Sequence, residues 1–252
     1  MSELELIGQG WTTKVYREGN KAIKMYIDPP PNEVQMEAKK QQFAYNLGLT
    51  VPAVYGVRVV NEHTVALDME FIDGKIIGDE TIKDEDIPGI VQILVELHIR
   101  IHSNKAVGLT SMYEQLIKKI NRSSYLESTQ KEKLVELIQE LTSDSNSLCH
   151  GDFHPMNVIY DGSQYWIIDW VDATAGNPLA DVCRSCLLFE CLGFSEAADI
   201  YMKAYCKATG TLEEDVLAFR PILAAVRLEE NISEKEREYL KKIITDWENS
   251  KT

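Results

Sequence analysis

Positive charge is scarce in this sequence: 26 Lys and Arg stand against 40 Asp and Glu in 252 residues, a formal net charge of -14. That balance argues against a surface built to grip phosphate backbones, so nucleic acid is not an expected partner. It is compatible with a cationic small molecule, and equally with plain solubility. No apolar run approaches the roughly 20 residues needed to cross a bilayer, so no membrane span is expected. Met1-Ser2-Glu3-Leu4-Glu5-Leu6 lacks a basic stretch followed by an apolar one, so no secretion signal is expected either. Cysteine is sparse and odd in number (Cys149, Cys183, Cys186, Cys191 and Cys206), which speaks against a disulfide framework and for free thiols in a reducing cytoplasm. Internal repeats and low-complexity tracts are also missing. What remains is an apolar content of 44 %, that of a folded chain able to bury a sizeable core.

The first third alternates strand-like segments with a single helix. Residues 4–8, 13–17 and 21–26 are short and rich in aliphatic, aromatic and β-branched side chains, with Glu18-Gly19-Asn20 as the turn between the second and third. After the break at Asp28-Pro29-Pro30-Pro31, residues 32–47 carry a helical pattern that Gly48 and Pro52 end. Two further strands are expected at 53–60 and 64–71. Helical spacing then dominates, at 87–103, 111–120, 128–141 and from Asp181 to the amphipathic stretch 233–249. A β-rich hairpin at 158–160 and 165–169 interrupts it, turning at Asp161-Gly162. The plan is α+β: a five-stranded antiparallel sheet with one helix, then a mostly helical part. A boundary is expected at Asp73-Gly74, giving residues 1–73 and 74–252.

Chemistry concentrates in Cys149-His150-Gly151-Asp152-Phe153-His154-Pro155-Met156-Asn157, followed after twelve residues by Asp169-Trp170. Phosphoryl transfer needs an acceptor for a hydroxyl proton and oxygen ligands for magnesium, and an Asp, an Asn and a second Asp supply these groups. This loop, with Ile167-Ile168-Asp169-Trp170, resembles the signature of the aminoglycoside phosphotransferase and choline kinase superfamily, within the protein-kinase-like two-lobe fold. The resemblance implies that Asp152 is the catalytic base or hydroxyl-orienting residue, that Asn157 and Asp169 bind Mg2+, and that His150 supports the loop. Gly176-Asn177-Pro178-Leu179-Ala180-Asp181 fits the same family, where Asp181 is a buried structural acid. His98, after Leu97, resembles a structural Leu-His pair of that family.

Residues 1–73 are then the nucleotide lobe, and 74–252 the catalytic and substrate lobe. The segment from Gly8 through Gly10 to Thr12 resembles a kinase glycine-rich loop in which Thr13 takes the third glycine's place; no Walker A sequence is present. Lys24 is expected to hold the phosphates of ATP or GTP, and Glu37, with Glu33 as its rival one turn earlier, to hold Lys24. Backbone groups near Glu70 and Ile72 are expected to meet the nucleobase. Two other readings share these residues. A protein Ser/Thr kinase would show Asp-Phe-Gly and Ala-Pro-Glu, both missing here; a catalytically silent nucleotide-binding module would be expected to lose Lys24, Asp152 or Asp169. The acceptor, a hydroxyl-bearing small molecule, is open among aminoglycosides, amino alcohols and sugars, as is the oligomeric state. His98 and His102 are read as structural for want of a third ligand, Cys183 and Cys186 as buried hydrophobes, and Glu229-Glu230 as a solvated helix end. His154 and Asp172 are weaker candidates for the site.

Overall fold

A computed structural model describes residues 4–10, 13–78, 82–142 and 145–251. In chain order its elements are β1 (Glu5–Gln9), β2 (Thr13–Glu18), β3 (Lys21–Ile27), α1 (Glu33–Asn46), β4 (Val54–Asn61), β5 (Thr64–Glu70), β6 (Lys75–Ile76), α2 (Ile87–His102), α3 (Met112–Arg122) and α4 (Ser128–Leu141). There follow β7 (Ser147–Cys149), β8 (Val158–Tyr160), β9 (Tyr165–Ile167), β10 (Thr174–Gly176), α5 (Pro178–Cys191), α6 (Ser195–Thr209), α7 (Glu213–Leu217), α8 (Arg220–Arg227) and α9 (Glu234–Ser250). The chain forms two compact units, Met1–Ile82 with Pro155–Asp172, and Lys83–His154 with Ala173–Thr252.

In the first unit an antiparallel sheet runs in the order β1-β2-β3-β5-β4. The central strands carry its apolar side chains: Ala22, Ile23 and Tyr26 on β3 and Ala66 and Leu67 on β5 are buried, while β1 and β4 lie at the edges. Gly19 makes the β2–β3 turn with φ of 61°, a left-handed conformation that costs glycine little. Helix α1 lays Val34 and Ala38 on Tyr26 and Leu67, with Val54, Val57, Val65 and Met69 packed around them. Gly48, at φ of 78°, ends it.

A second sheet, β6-β8-β9, follows Asp73-Gly74 in the chain. A Cβ on Gly74 would lie 2.5 Å from the Tyr160 carbonyl oxygen, and one on Gly78 would lie 2.7 Å from the Met156 nitrogen. The chain past residue 73 is thus laid closely on the backbone of 156–160.

The second unit is helical apart from the short β7–β10 pair, in which Cys149 stands opposite Thr174. Its centre is α5, which opens with Pro178 after the cap Asn177, whose Oδ1 accepts from the Leu179 amide at 2.9 Å. Ala180 through Cys183 and Ser185 through Phe189 are buried, so this helix is covered nearly all round. Helix α2 buries Val91, Leu94, Val95, His98, Ile101 and His102, spaced as one helical face, and α6 buries Tyr201 and Tyr205. Among the described residues, no helix is long and apolar enough to cross a membrane.

Candidate functional site

In the first unit the β3 alternation that buries Ala22 and Tyr26 puts Lys24 on the same face, half-buried between Val15 of β2 and Leu67 of β5. Its ammonium lies 2.8 Å from Glu37 Oε1 and 3.0 Å from Asp169 Oδ1. It is therefore Glu37, and not Glu33, that meets Lys24. Glu37 is buried in α1, and the Tyr26 hydroxyl donates to its other oxygen. Burial pulls the Lys24 ammonium down, but the carboxylates of Asp169 and Glu37 outweigh that and hold it above its ordinary value. Burial drives the Tyr26 phenol up, so it stays a donor.

Asp169 sits at φ of 63°, a strained conformation for a residue with a side chain, of the kind that collects at functional sites. Contacts on both sides hold it there. The Ile168 amide donates to the Asn157 carbonyl at 3.0 Å, the fully buried Trp170 indole donates to the Ile167 carbonyl, and Lys40 Nζ reaches the Val171 carbonyl at 2.6 Å. Lys40 stands three residues after Glu37, so one face of α1 holds both Lys24 and the turn carrying Asp169. Asn157 and Asp169 offer an amide and a carboxylate oxygen, hard donors that suit magnesium.

Gly8 lies inside β1 opposite Val15, so the expected loop narrows to Gly10, whose amide donates to the Thr13 carbonyl at 2.9 Å. Thr12, with Trp11, lies outside the described residues. At the end of β5 the Glu70 and Phe71 amides are taken by the carbonyls of Ala53 and Asn20. The Ile72 amide, just beyond, makes no hydrogen bond among the described residues.

In the second unit the loop carrying Asp152 is bonded along one face of α5. Asp181, fully buried, accepts from the His150 amide at 2.6 Å and the Gly151 amide at 2.8 Å. Arg184 Nε donates to the Gly151 carbonyl at 3.3 Å, and its Nη2 lies 3.6 Å from Asp152 Oδ1. Ser185 Oγ donates to the Phe153 carbonyl at 2.7 Å. Positions 181, 184 and 185 share a face because a helix returns every three to four residues. His150 is buried, and its Nδ1 accepts from the Asp152 amide. Burial pushes the Asp152 carboxyl up, but the hydrogen bond with His154 and the charge of Arg184 outweigh it and keep it ionised well below the usual range.

His98 Nε2 and His102 Nε2 donate to Asp181 Oδ2 from 3.0 and 3.2 Å, while the Tyr201 and Tyr205 hydroxyls donate to the two Nδ1 atoms. The third group that the sequence did not reveal is therefore Asp181. Yet protons already join every polar atom of the trio, and the set closes as a hydrogen-bonded hub. Burial pushes His98 down to about 3, so it is neutral, and Asp181 stays ionised because its interactions with His98 and His102 outweigh its burial. Cys183 and Cys186 are buried thiols, Cys183 pushed up to about 12 by burial. Glu230 is not a solvated helix end, for it pairs with Arg184 and Arg227 at 2.7 Å each. Glu229 instead accepts from the Ser123 hydroxyl and the Ser124 amide. Sequence reasoning missed Arg184, Ser185, Glu230, Lys40 and Tyr26. The first two had a usable signal, since they follow Asp181 by one helical turn.

Residues 3–218 match the profile of the phosphotransferase enzyme family, APH. Comparison with curated proteins returned no sequence match. A thermostable mutant of aminoglycoside phosphotransferase APH(4)-Ia, in ternary complex with ADP and hygromycin B, has a similar fold at TM-score 0.71 and 13 % identity, over 97 % of this chain and 92 % of that one. A choline/ethanolamine kinase family protein from Mesorhizobium loti superposes at 0.66 with 19 % identity, over 97 % and 86 % of the two chains. The GDP complex of aminoglycoside 2'-phosphotransferase-IIIa does so at 0.65 with 14 % identity, over 97 % and 93 %. The five-stranded sheet with its helix and the helical second unit are the protein-kinase-like arrangement of these structures, and the match over residues 3–218 establishes that this chain belongs to the phosphotransferase enzyme family.

Proposed function

We propose that the protein is a small-molecule kinase, moving the γ-phosphoryl group of ATP or GTP to a hydroxyl of a small acceptor. The observation that carries this is the ammonium of Lys24, held between Glu37 and Asp169. An ammonium fixed between a buried helix carboxylate and an aspartate on a strained turn is placed to meet phosphate oxygens. Magnesium, held by Asn157 and Asp169, would neutralise charge on the phosphates. Gly10, with Thr12, supports the phosphates, and the Glu70 and Ile72 backbone meets the base. Residues 1–73 then serve the nucleotide, and 74–252 the chemistry and the acceptor.

Asp152 serves as the base. As the acceptor oxygen forms its bond to γ-phosphorus and the bond to the β-phosphate oxygen breaks, the hydroxyl proton passes to the Asp152 carboxylate. Its low proton affinity fits orientation as much as abstraction, consistent with a reaction whose rate comes from positioning and electrostatics. Similar folds bind hygromycin B or belong to choline/ethanolamine kinases, so an amine-bearing alcohol is the favoured acceptor class, in keeping with the net charge of -14. Five cysteines without a disulfide suit a reducing, cytoplasmic setting. The experiment is a screen of aminoglycosides, amino alcohols and sugars for acceptor-stimulated release of ADP or GDP. Stimulation by one acceptor, abolished in D152N, is the expected result; failure of the wild type to bind either nucleotide contradicts the proposal.

A further inference from the structure

Arg184 is the member of the α5 face whose guanidinium meets the carboxylate of the proposed base. An arginine beside a carboxylate ordinarily docks as a two-pronged fork at about 2.8 Å. Here the separation from Asp152 is 3.6 Å, although the side chains are only 11 % and 26 % exposed. Its nearer partners lie elsewhere: Nη1 is 2.7 Å from Glu230 Oε1 as an ion pair, and Nε donates to the Gly151 carbonyl.

Glu230 does not owe its place to chance on a free surface. Its other oxygen is 2.7 Å from Nη1 of Arg227, whose side chain is 9 % exposed. Arg227 in turn meets Glu236 at 3.1 Å, and Glu236 closes the capping box of α9 with Ser233. The end of α8 and the start of α9 therefore set where Glu230 stands.

We propose that Glu230 is a positioning residue that holds the Arg184 guanidinium off Asp152. The arginine can then bond the loop backbone at Gly151 and favour the ionised aspartate without docking on it. Removing Glu230 frees the fork to close on Asp152, which occupies the carboxylate and weakens it as a base. This inference rests on Asp152 being the base.

The test uses E230Q, E230D, R184Q, the double variant E230Q/R184Q and D152N in the full chain. Water serves as the acceptor, with phosphate release from magnesium-ATP and magnesium-GTP as the assay, alongside a crystal structure of E230Q. The expected kcat of E230Q falls on the order of tenfold, a fraction of what a general base contributes, with nucleotide KM unchanged. E230D, which keeps the charge, retains more activity than E230Q. Adding R184Q to E230Q raises kcat above that of E230Q alone; a merely structural role for both residues makes the double variant slower still. In the E230Q crystal, Arg184 moves to hydrogen-bonding distance of Asp152.

Wild-type kcat in E230Q, a double variant slower than E230Q, or an Arg184 that stays at its original separation in that crystal overturns the proposal. If E230Q does not fold, E230A takes its place in the kinetics and in the crystal, and wild-type kcat there counts against the proposal. D152N hydrolysing nucleotide like wild type removes the base assignment instead, a failure that the E230Q crystal structure separates from that of the Glu230 role.

Discussion

Replacing Asp181 by asparagine leaves the shape of the side chain and removes its charge. In the wild type Oδ2 accepts from the His150 amide at 2.6 Å, His98 at 3.0 Å and His102 at 3.2 Å, while Oδ1 accepts from the Gly151 amide at 2.8 Å. An amide has one acceptor oxygen. If that oxygen takes the Oδ2 place, its NH2 faces the Gly151 N–H, one donor is left unpaired, and three charge-assisted bonds become neutral ones. A buried unpaired donor costs about 1–3 kcal/mol, and bonds to a charged group are stronger than neutral bonds by up to about a factor of two. The expected loss is about 3–5 kcal/mol, a large share of the 5–15 kcal/mol that holds a typical domain. Urea unfolding followed by far-UV circular dichroism at pH 7 measures it. Amide exchange at His150 and Gly151 reports the loop directly and should quicken by orders of magnitude. A D181N protein within about 1 kcal/mol of wild type, with those two amides still protected, would refute the reasoning.

K24M should leave the buried Glu37 carboxylate with the Tyr26 hydroxyl but no cation, lowering stability by about 3 kcal/mol, and K24M/E37Q should recover part of it; urea midpoints of the two variants decide. The same K24M variant should bind magnesium-ATP and magnesium-GTP at least about tenfold more weakly in equilibrium dialysis. Acid should weaken the second unit. His98 is held at about 3 against an unfolded value of 6.5, so its stabilising contribution is present above pH 6.5 and declines as pH falls toward 3, by up to about 1.4 kcal/mol per pH unit. Asp181, also depressed, adds a loss in the lower part of that window, and H98Q should flatten the profile between pH 6.5 and 5, read from urea midpoints at each pH. D169N should raise the magnesium concentration for half-maximal turnover without unfolding the chain, a titration that chelation and re-addition of magnesium can check.

The five strands and α1 were legible because each carries a local signal: short runs of aliphatic, aromatic and β-branched residues, a glycine at the β2–β3 turn, and Gly48 after the helix. Of the short strands, β8 and β9 were legible through the Asp161-Gly162 turn between them, and the others were not. β6, β7 and β10 have two or three residues each, too few for any periodicity, and exist because a distant partner completes them, as Thr174 does for Cys149. The loop at Asp152 announced itself through residue types at fixed spacing, whereas what holds it did not. An arginine on a helix reads as solvent-facing, and only the burial of α5 nearly all round makes Arg184 a loop contact. The pairing of His98 and His102 with Asp181 joins α2 to α5 across some 80 residues of sequence, a distance that no local pattern spans. Glu230 reads as a surface charge because Arg227, three residues earlier, is its one local partner, while Arg184 lies far off in the sequence and reaches it through packing.

The central claim, that this chain carries a phosphoryl group from a magnesium-nucleotide to a hydroxyl with Asp152 as the base, is tested most directly by one measurement. Purified protein is given magnesium-ATP and magnesium-GTP with a panel of hydroxyl-bearing acceptors, and diphosphate release is followed with and without each acceptor, beside D152N. The account predicts an acceptor that stimulates release and acquires phosphate, in the wild type and not in D152N. A wild-type protein that binds neither nucleotide, or a D152N variant that phosphorylates the same acceptor at the wild-type rate, would contradict it.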